Sequence, residues 1–205
     1  RDGGADITQA VPEMDMPGLA AYAKGKNVGL LVWLNWEPTR EQMDVAFPLY
    51  EKWGLAGVKI DYMDRKDQEI VAFYQRATRT AAKYHLTVDF HGAYAGSGEE
   101  RTFPNWLTRE GVMGLEYNKW SDRISPRHNV TLPFTRMLTG PMDYTPGGFR
   151  NVTAADFAPR NDLPVVMTTR AQQLAMYVVY DSPLQMLSDT PSAYRGEPGS
   201  EFLKA

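Results

Sequence analysis

Lys59 and Asp61 stand two residues apart in the run AGVKIDY, and Asp89 and His91 two apart in LTVDFH. Glu116 and Asn118 stand two apart in VMGLEYN, and Asn35 and Trp36 close the run VGLLVWLNW. Each run is otherwise apolar and rich in branched or aromatic side chains, as expected of a strand buried on both faces. Alternation along a strand puts residues two apart on one face. Lys59 therefore shares a face with Asp61, and Asp89 with His91. Two carboxylates, Asp61 and Glu116, suit glycoside hydrolysis: one serves as nucleophile or base, the other gives a proton to the leaving oxygen. A cation beside Asp61 would keep it ionised, as suits a nucleophile.

Each residue alone has a plainer explanation. An Asp at a strand end is as readily the N-cap of the next helix. Glu116 could be a solvated loop carboxylate, and Lys59 a salt-bridged part of the scaffold. Taken together they are harder to dismiss, because burying several charges near one another without partners is costly. Two other functions stay open. Lys59 could be the Schiff-base amine of an aldolase-type barrel, although a carboxylate on the same face would keep it protonated. Alternatively the chain is a non-catalytic carbohydrate-binding fragment, given 12% aromatic residues with five Trp and eleven Tyr, since sugar faces pack on flat rings.

The elements that must position these residues alternate in type. Helical periodicity marks Met16 to Lys26, Pro38 to Trp53 with Gly54 as its stop, Asp67 to Tyr84 with Asp67 as its cap, and Thr169 to Asp181. Strands are expected at 28–36, 56–62, 86–91 and 112–117, with a short helix near 105–109. Residues 118–162 read as a long irregular stretch, and 183–187 as a further strand or helical turn. Strand–helix alternation predicts an α/β fold with a parallel sheet. With polar residues gathered at strand C-termini, the expectation is a (β/α)₈ TIM barrel. Its 205 residues fall short of the roughly 250 typical of such a barrel. The chain 1–205 is thus read as an incomplete one, roughly units three to eight.

Bulk properties narrow the partners. The formal net charge of −3 and the lack of a Lys/Arg cluster give no sign of nucleic acid. No apolar run is long enough for a membrane helix. Cysteine is absent, which excludes disulfides, thiolate metal sites and a Cys nucleophile.

Four segments, in order, carry a resemblance: GVKIDYMDRKDQ (Gly57–Gln68), VDFHGAYAGSGEERTFPNW (Val88–Trp106), EGVMGLEYNKW (Glu110–Trp120) and LPFTRMLTGPMDYTPGGF (Leu132–Phe149). Together they resemble glycoside hydrolase family 97, and within it the retaining α-galactosidase branch of Bacteroidetes type. The resemblance implies a catalytic barrel flanked by an N-terminal β-sandwich and a C-terminal β-domain, neither of them part of this chain. It implies an Asp nucleophile in a KxD motif, matched by Lys59-Ile60-Asp61, and a general acid matched by Glu116. Inverting α-glucosidases of the family carry a base Glu directly after a strand-end His; here that place is Gly92, after His91, and an α-glucosidase of the same family stays open as the alternative activity. A calcium ion is implied, with Glu110 and Glu116 among its ligands and further ligands outside this chain or lost at Gly92. A periplasmic or extracellular bacterial location is implied as well. Of the remaining residues, Lys59, His91 and Asp89 are expected to bind sugar hydroxyls, and Trp33 or Trp36 to stack on the ring. Asp143 and Tyr144 are weaker candidates for sugar contact and are expected to be structural.

Overall fold

The computed structural model describes residues 5–204. It divides into two compact units: residues up to Tyr94 together with Gly98–Arg109, and Ala95–Ser97 together with the residues from Glu110 onward.

The first unit is a parallel sheet with helices. Helix α1 (Met16–Gly25) starts where the Asp15 carboxylate accepts from Gly18 N. Strand β1 (Leu31–Asn35) leads into α2 (Trp36–Trp53), which Gly54 ends in the left-handed conformation, φ 82°. Strand β2 (Gly57–Asp61) is followed by α3 (Gln68–Lys83), whose N-cap Asp67 accepts from Glu69 N and Ile70 N. Then come β3 (Thr87–Phe90) and β4 (Trp106–Arg109). The four strands pair in parallel in the order β1-β2-β3-β4. The register aligns Trp33 with Lys59, Lys59 with Asp89, and Asn35 with Asp61. Val58, Ile60, Val88 and Phe90 are fully buried against Met43, Phe47, Ile70 and Ala77 of the helices. Phe90 packs edge-on to both Tyr74 and Trp106, with centroids 4.6 Å apart in each case.

Two expectations fail here. The helix anticipated near 105–109 is strand β4. Its four residues are too few to show a period, and Trp106 is held among the rings of Tyr74 and Phe90. The strand anticipated at 112–117 is instead loop and a 3₁₀ turn, Leu115–Lys119. Gly111 takes φ 50° there, and a side chain on Gly114 would meet the Tyr144 carbonyl at 2.8 Å. Leu115 N donates to that same carbonyl, so the segment follows an irregular neighbour rather than a strand.

The second unit is mostly irregular. It holds α4 (Pro126–Thr131), α5 (Arg170–Val179) and the short α6 (Pro191–Tyr194), with 3₁₀ turns between them. Thr169 caps α5, accepting from Gln172 N. No strand or helix forms at 183–187. Its core joins Leu115, Ile124, Leu132, Met142, Tyr144, Val166, Met176 and Tyr180. Without a sheet, side chains satisfy the buried backbone: Gln173 Oε1 accepts from Gly147 N at 2.9 Å and Gly148 N at 3.0 Å. Tyr180 donates to the Asn129 carbonyl at 2.8 Å. Among the described residues no helix is long and apolar enough to cross a membrane.

Candidate functional site

Asp61 is the last residue of β2, and both its oxygens are engaged. The Trp33 indole Nε1 donates to Oδ2 at 2.9 Å, and Tyr62 N donates to Oδ1 at 2.6 Å. His91 Nδ1 lies 3.7 Å from Oδ2. Tyr62 takes φ 69°, a conformation costly for a non-glycine residue and common where a functional site overrides local preference. The Tyr62 ring meets Trp33 edge-on, centroids 5.7 Å apart.

Gly92 is fitted to this arrangement. A Cβ there would sit 2.8 Å from Tyr62 N and 3.0 Å from Asp61 Oδ1. Its φ of 54° also disfavours any L side chain. The bare backbone at position 92 thus leaves room for the Asp61 carboxylate.

Lys59 pairs with Asp89, Nζ to Oδ2 at 3.0 Å, across adjacent strands at the same register. Asp89 is completely buried, so it reaches Lys59 and cannot meet a sugar; its expected role in substrate binding is corrected to holding Lys59. Trp36 is corrected too. Asn35 caps α2 with its side chain on Glu37 N, so the helix starts two residues earlier than Pro38 and draws Trp36 into its first turn. The Trp36 ring is buried, edge-on to Phe73 at 5.8 Å, with the Arg40 guanidinium 5.1 Å from its centroid. No face is left for stacking on a sugar. Trp33 is more than a third exposed but spends its N–H on Asp61.

Two clamps went unnoticed in the sequence. Arg109, at the end of β4, is buried with its guanidinium 3.9 Å from the Trp106 centroid and 5.0 Å from that of Tyr94. It donates to Glu99 at 2.9 Å, and Tyr94 donates to the other Glu99 oxygen at 2.8 Å. The neighbouring Glu99–Arg101 turn closes with Thr102 N on the Glu99 carbonyl. In the second unit Arg136 donates to the carbonyls of Glu110, Gly111, Gly140 and Pro141 at 2.9–3.0 Å. Both are arginines set in apolar surroundings, and that was the signal available.

Glu116 lies on the Leu115–Lys119 turn, exposed, with Lys119 Nζ 3.1 Å from one oxygen. Glu110 and Glu116 each offer a carboxylate oxygen, and these come within 4.8 Å of one another. Calcium takes oxygen ligands at about 2.3–2.6 Å, so two carboxylates at this spacing are compatible with one shared ion. Asp143 and Tyr144 are both buried; Tyr144 donates to Asn129 Oδ1, and Asp143 accepts from Thr145. Both side chains are thus engaged within the second unit.

The family model for glycoside hydrolase 97 matches residues 1–112. A retaining alpha-galactosidase of Bacteroides thetaiotaomicron is 44% identical over 200 residues, covering 96% of this chain and 30% of the relative. A probable retaining alpha-galactosidase of Streptomyces bingchenggensis is 36% identical over 186 residues, covering 89% of this chain and 27% of the relative. A family 97 enzyme from Pseudoalteromonas sp. strain K8, solved with panose, superposes with a TM-score of 0.85 at 34% identity, covering 97% of this chain and 33% of that one. The chain therefore spans about a third of the length of these relatives. The match to the family model over more than half of the residues, with a like fold over nearly all of them, makes this chain a member of glycoside hydrolase family 97.

Proposed function

We propose that this chain carries catalytic residues of a retaining α-galactosidase, with Asp61 as nucleophile and Glu116 as general acid and base. The observation that supports this most is Asp61 itself: a strand-end carboxylate held on both oxygens by N–H donors. Such a carboxylate is held in one orientation by its donors. The parallel sheet is read as part of a (β/α)₈ barrel, in which active sites form at strand C-termini. Asp61 attacks the anomeric carbon while Glu116 protonates the departing oxygen. Water then attacks the glycosyl-enzyme, gives its proton to Glu116, and releases the Asp61 carboxylate. His91 and Lys59 would bind sugar hydroxyls, Lys59 being fixed by Asp89.

Glu110 and Glu116 would hold a calcium ion. When bound, it would supply positive charge beside the acid and the sugar. Galactose is preferred over glucose because the curated relatives at 44% and 36% identity bear the galactosidase name, and Gly92 leaves no carboxylate where the inverting α-glucosidases have their base. The Lys59–Asp89 ion pair argues against the aldolase reading, since an amine must lose its proton to attack a carbonyl. The same reading places the enzyme in the periplasm or outside a bacterial cell.

The test is Asp61→Gly in the full natural polypeptide. It should lower hydrolysis of an aryl α-galactoside on the order of 10⁴-fold. Azide should restore turnover and give β-galactosyl azide, because it enters from the face that Asp61 occupied. Undiminished hydrolysis by the variant would refute the assignment.

A further inference from the structure

We infer that Trp33 acts through Asp61 as a positioning residue that eases its release from the glycosyl-enzyme, an inference that rests on Asp61 being the nucleophile. The indole N–H donates to Asp61 Oδ2 at 2.9 Å, and the Tyr62 ring packs edge-on against the indole at 5.7 Å. Trp33 and Asp61 lie on adjacent strands, with Trp33 two residues before Asn35, the register partner of Asp61. The indole therefore reaches along the sheet face toward the strand ends. An indole nitrogen is a donor only, so it can stabilise the carboxylate but cannot take a proton from it.

The consequence depends on the step. As the attacking nucleophile Asp61 reacts as a carboxylate, and a hydrogen bond to a charged acceptor is strong. In the glycosyl-enzyme that carboxyl is an ester, and the hydrogen bond weakens. In the second step water attacks the anomeric carbon and the bond from that carbon to the Asp61 oxygen breaks. The electron pair returns to the carboxylate, and the water's proton passes to Glu116. The Trp33 N–H regains its charged acceptor as that bond breaks. It therefore stabilises the leaving carboxylate, and does so more than it assists the attack that forms the ester.

The experiment is Trp33→Phe, which keeps a ring against Tyr62 and removes the N–H, in the full natural polypeptide with an activated aryl α-galactoside. Expected is a fall of about tenfold in kcat, a parallel fall in KM, kcat/KM nearly unchanged, and a burst of released phenol. Trp33→His, which keeps a ring N–H, should recover part of kcat. In the Asp61→Gly background with azide, Trp33→Phe should change nothing, since the group it acts on is gone. A raised KM with lowered kcat/KM, repeated at the same factor in that azide-rescued background, would show that Trp33 contacts the sugar and would overturn the inference. Should Asp61→Gly itself retain full activity, the nucleophile assignment fails first, and that outcome is separate from either Trp33 result.

Discussion

At the scale of single residues, the site is prepared by what surrounds a carboxylate. Asp61 has two N–H donors, one from a side chain and one from a backbone bent to a positive φ. Gly92 completes the fit by having no side chain. Its replacement by Ala must push Tyr62 or the carboxylate, and displacement of a reacting group by about 1 Å can cost 10²-fold. Gly92→Ala is thus expected to lower kcat/KM on the order of 100-fold while leaving the far-ultraviolet circular dichroism unchanged. Activity within twofold of the parent would mean that the close approach at position 92 is immaterial. Little of this was legible beforehand. The KxD spacing exposed Asp61 and Lys59, but not that Lys59 pairs with Asp89 on the next strand, because register between strands is set by tertiary packing. Trp33 and Trp36 looked equivalent in sequence. A cap at Asn35 separates them, sending one ring into the core and leaving the other beside Asp61.

At the scale of elements, the first unit was readable because its helices and strands carry strong local signals. Apolar faces, the Asp67 cap and the Gly54 stop located α2 and α3 to within about two residues. The second unit was not, because it is held by side chain-to-backbone hydrogen bonds that have no period. Arg136 is the clearest case. Its guanidinium fork serves carbonyls from two separate stretches, Glu110–Gly111 and Gly140–Pro141. A lysine presents its three donors from one point and cannot reproduce that fork. Arg136→Lys should therefore destabilise the fold by roughly 3 kcal/mol, read as a lower midpoint in urea. It should also weaken the calcium binding proposed for Glu110 and Glu116, measured by calorimetry, since Glu110 would lose its anchored backbone. An unchanged midpoint would show that the clamp contributes no stability.

At the scale of the whole molecule, the order of the four motifs was informative where periodicity was not, and it runs through both units. The buried tyrosines of the second unit offer a test of its packing. Burial holds the phenol pKa values of Tyr144, Tyr177 and Tyr180 above the ordinary 10.0. The folded state thus keeps these protons more tightly than the unfolded chain does. Their contribution is fully present below pH 10.0 and is lost as pH rises above it toward the raised values. The unfolding midpoint should fall steadily above that pH, and Tyr180→Phe should flatten the fall. A midpoint insensitive to alkali would place these rings in contact with water.

The central claim is that Asp61 forms a covalent bond with the sugar, and the stereochemistry of the first product tests it most directly. Proton NMR of the full natural polypeptide acting on an aryl α-galactoside, recorded before mutarotation, should show α-galactose first. The β-anomer appearing first would mean a single displacement by water, and Asp61 could not be the nucleophile.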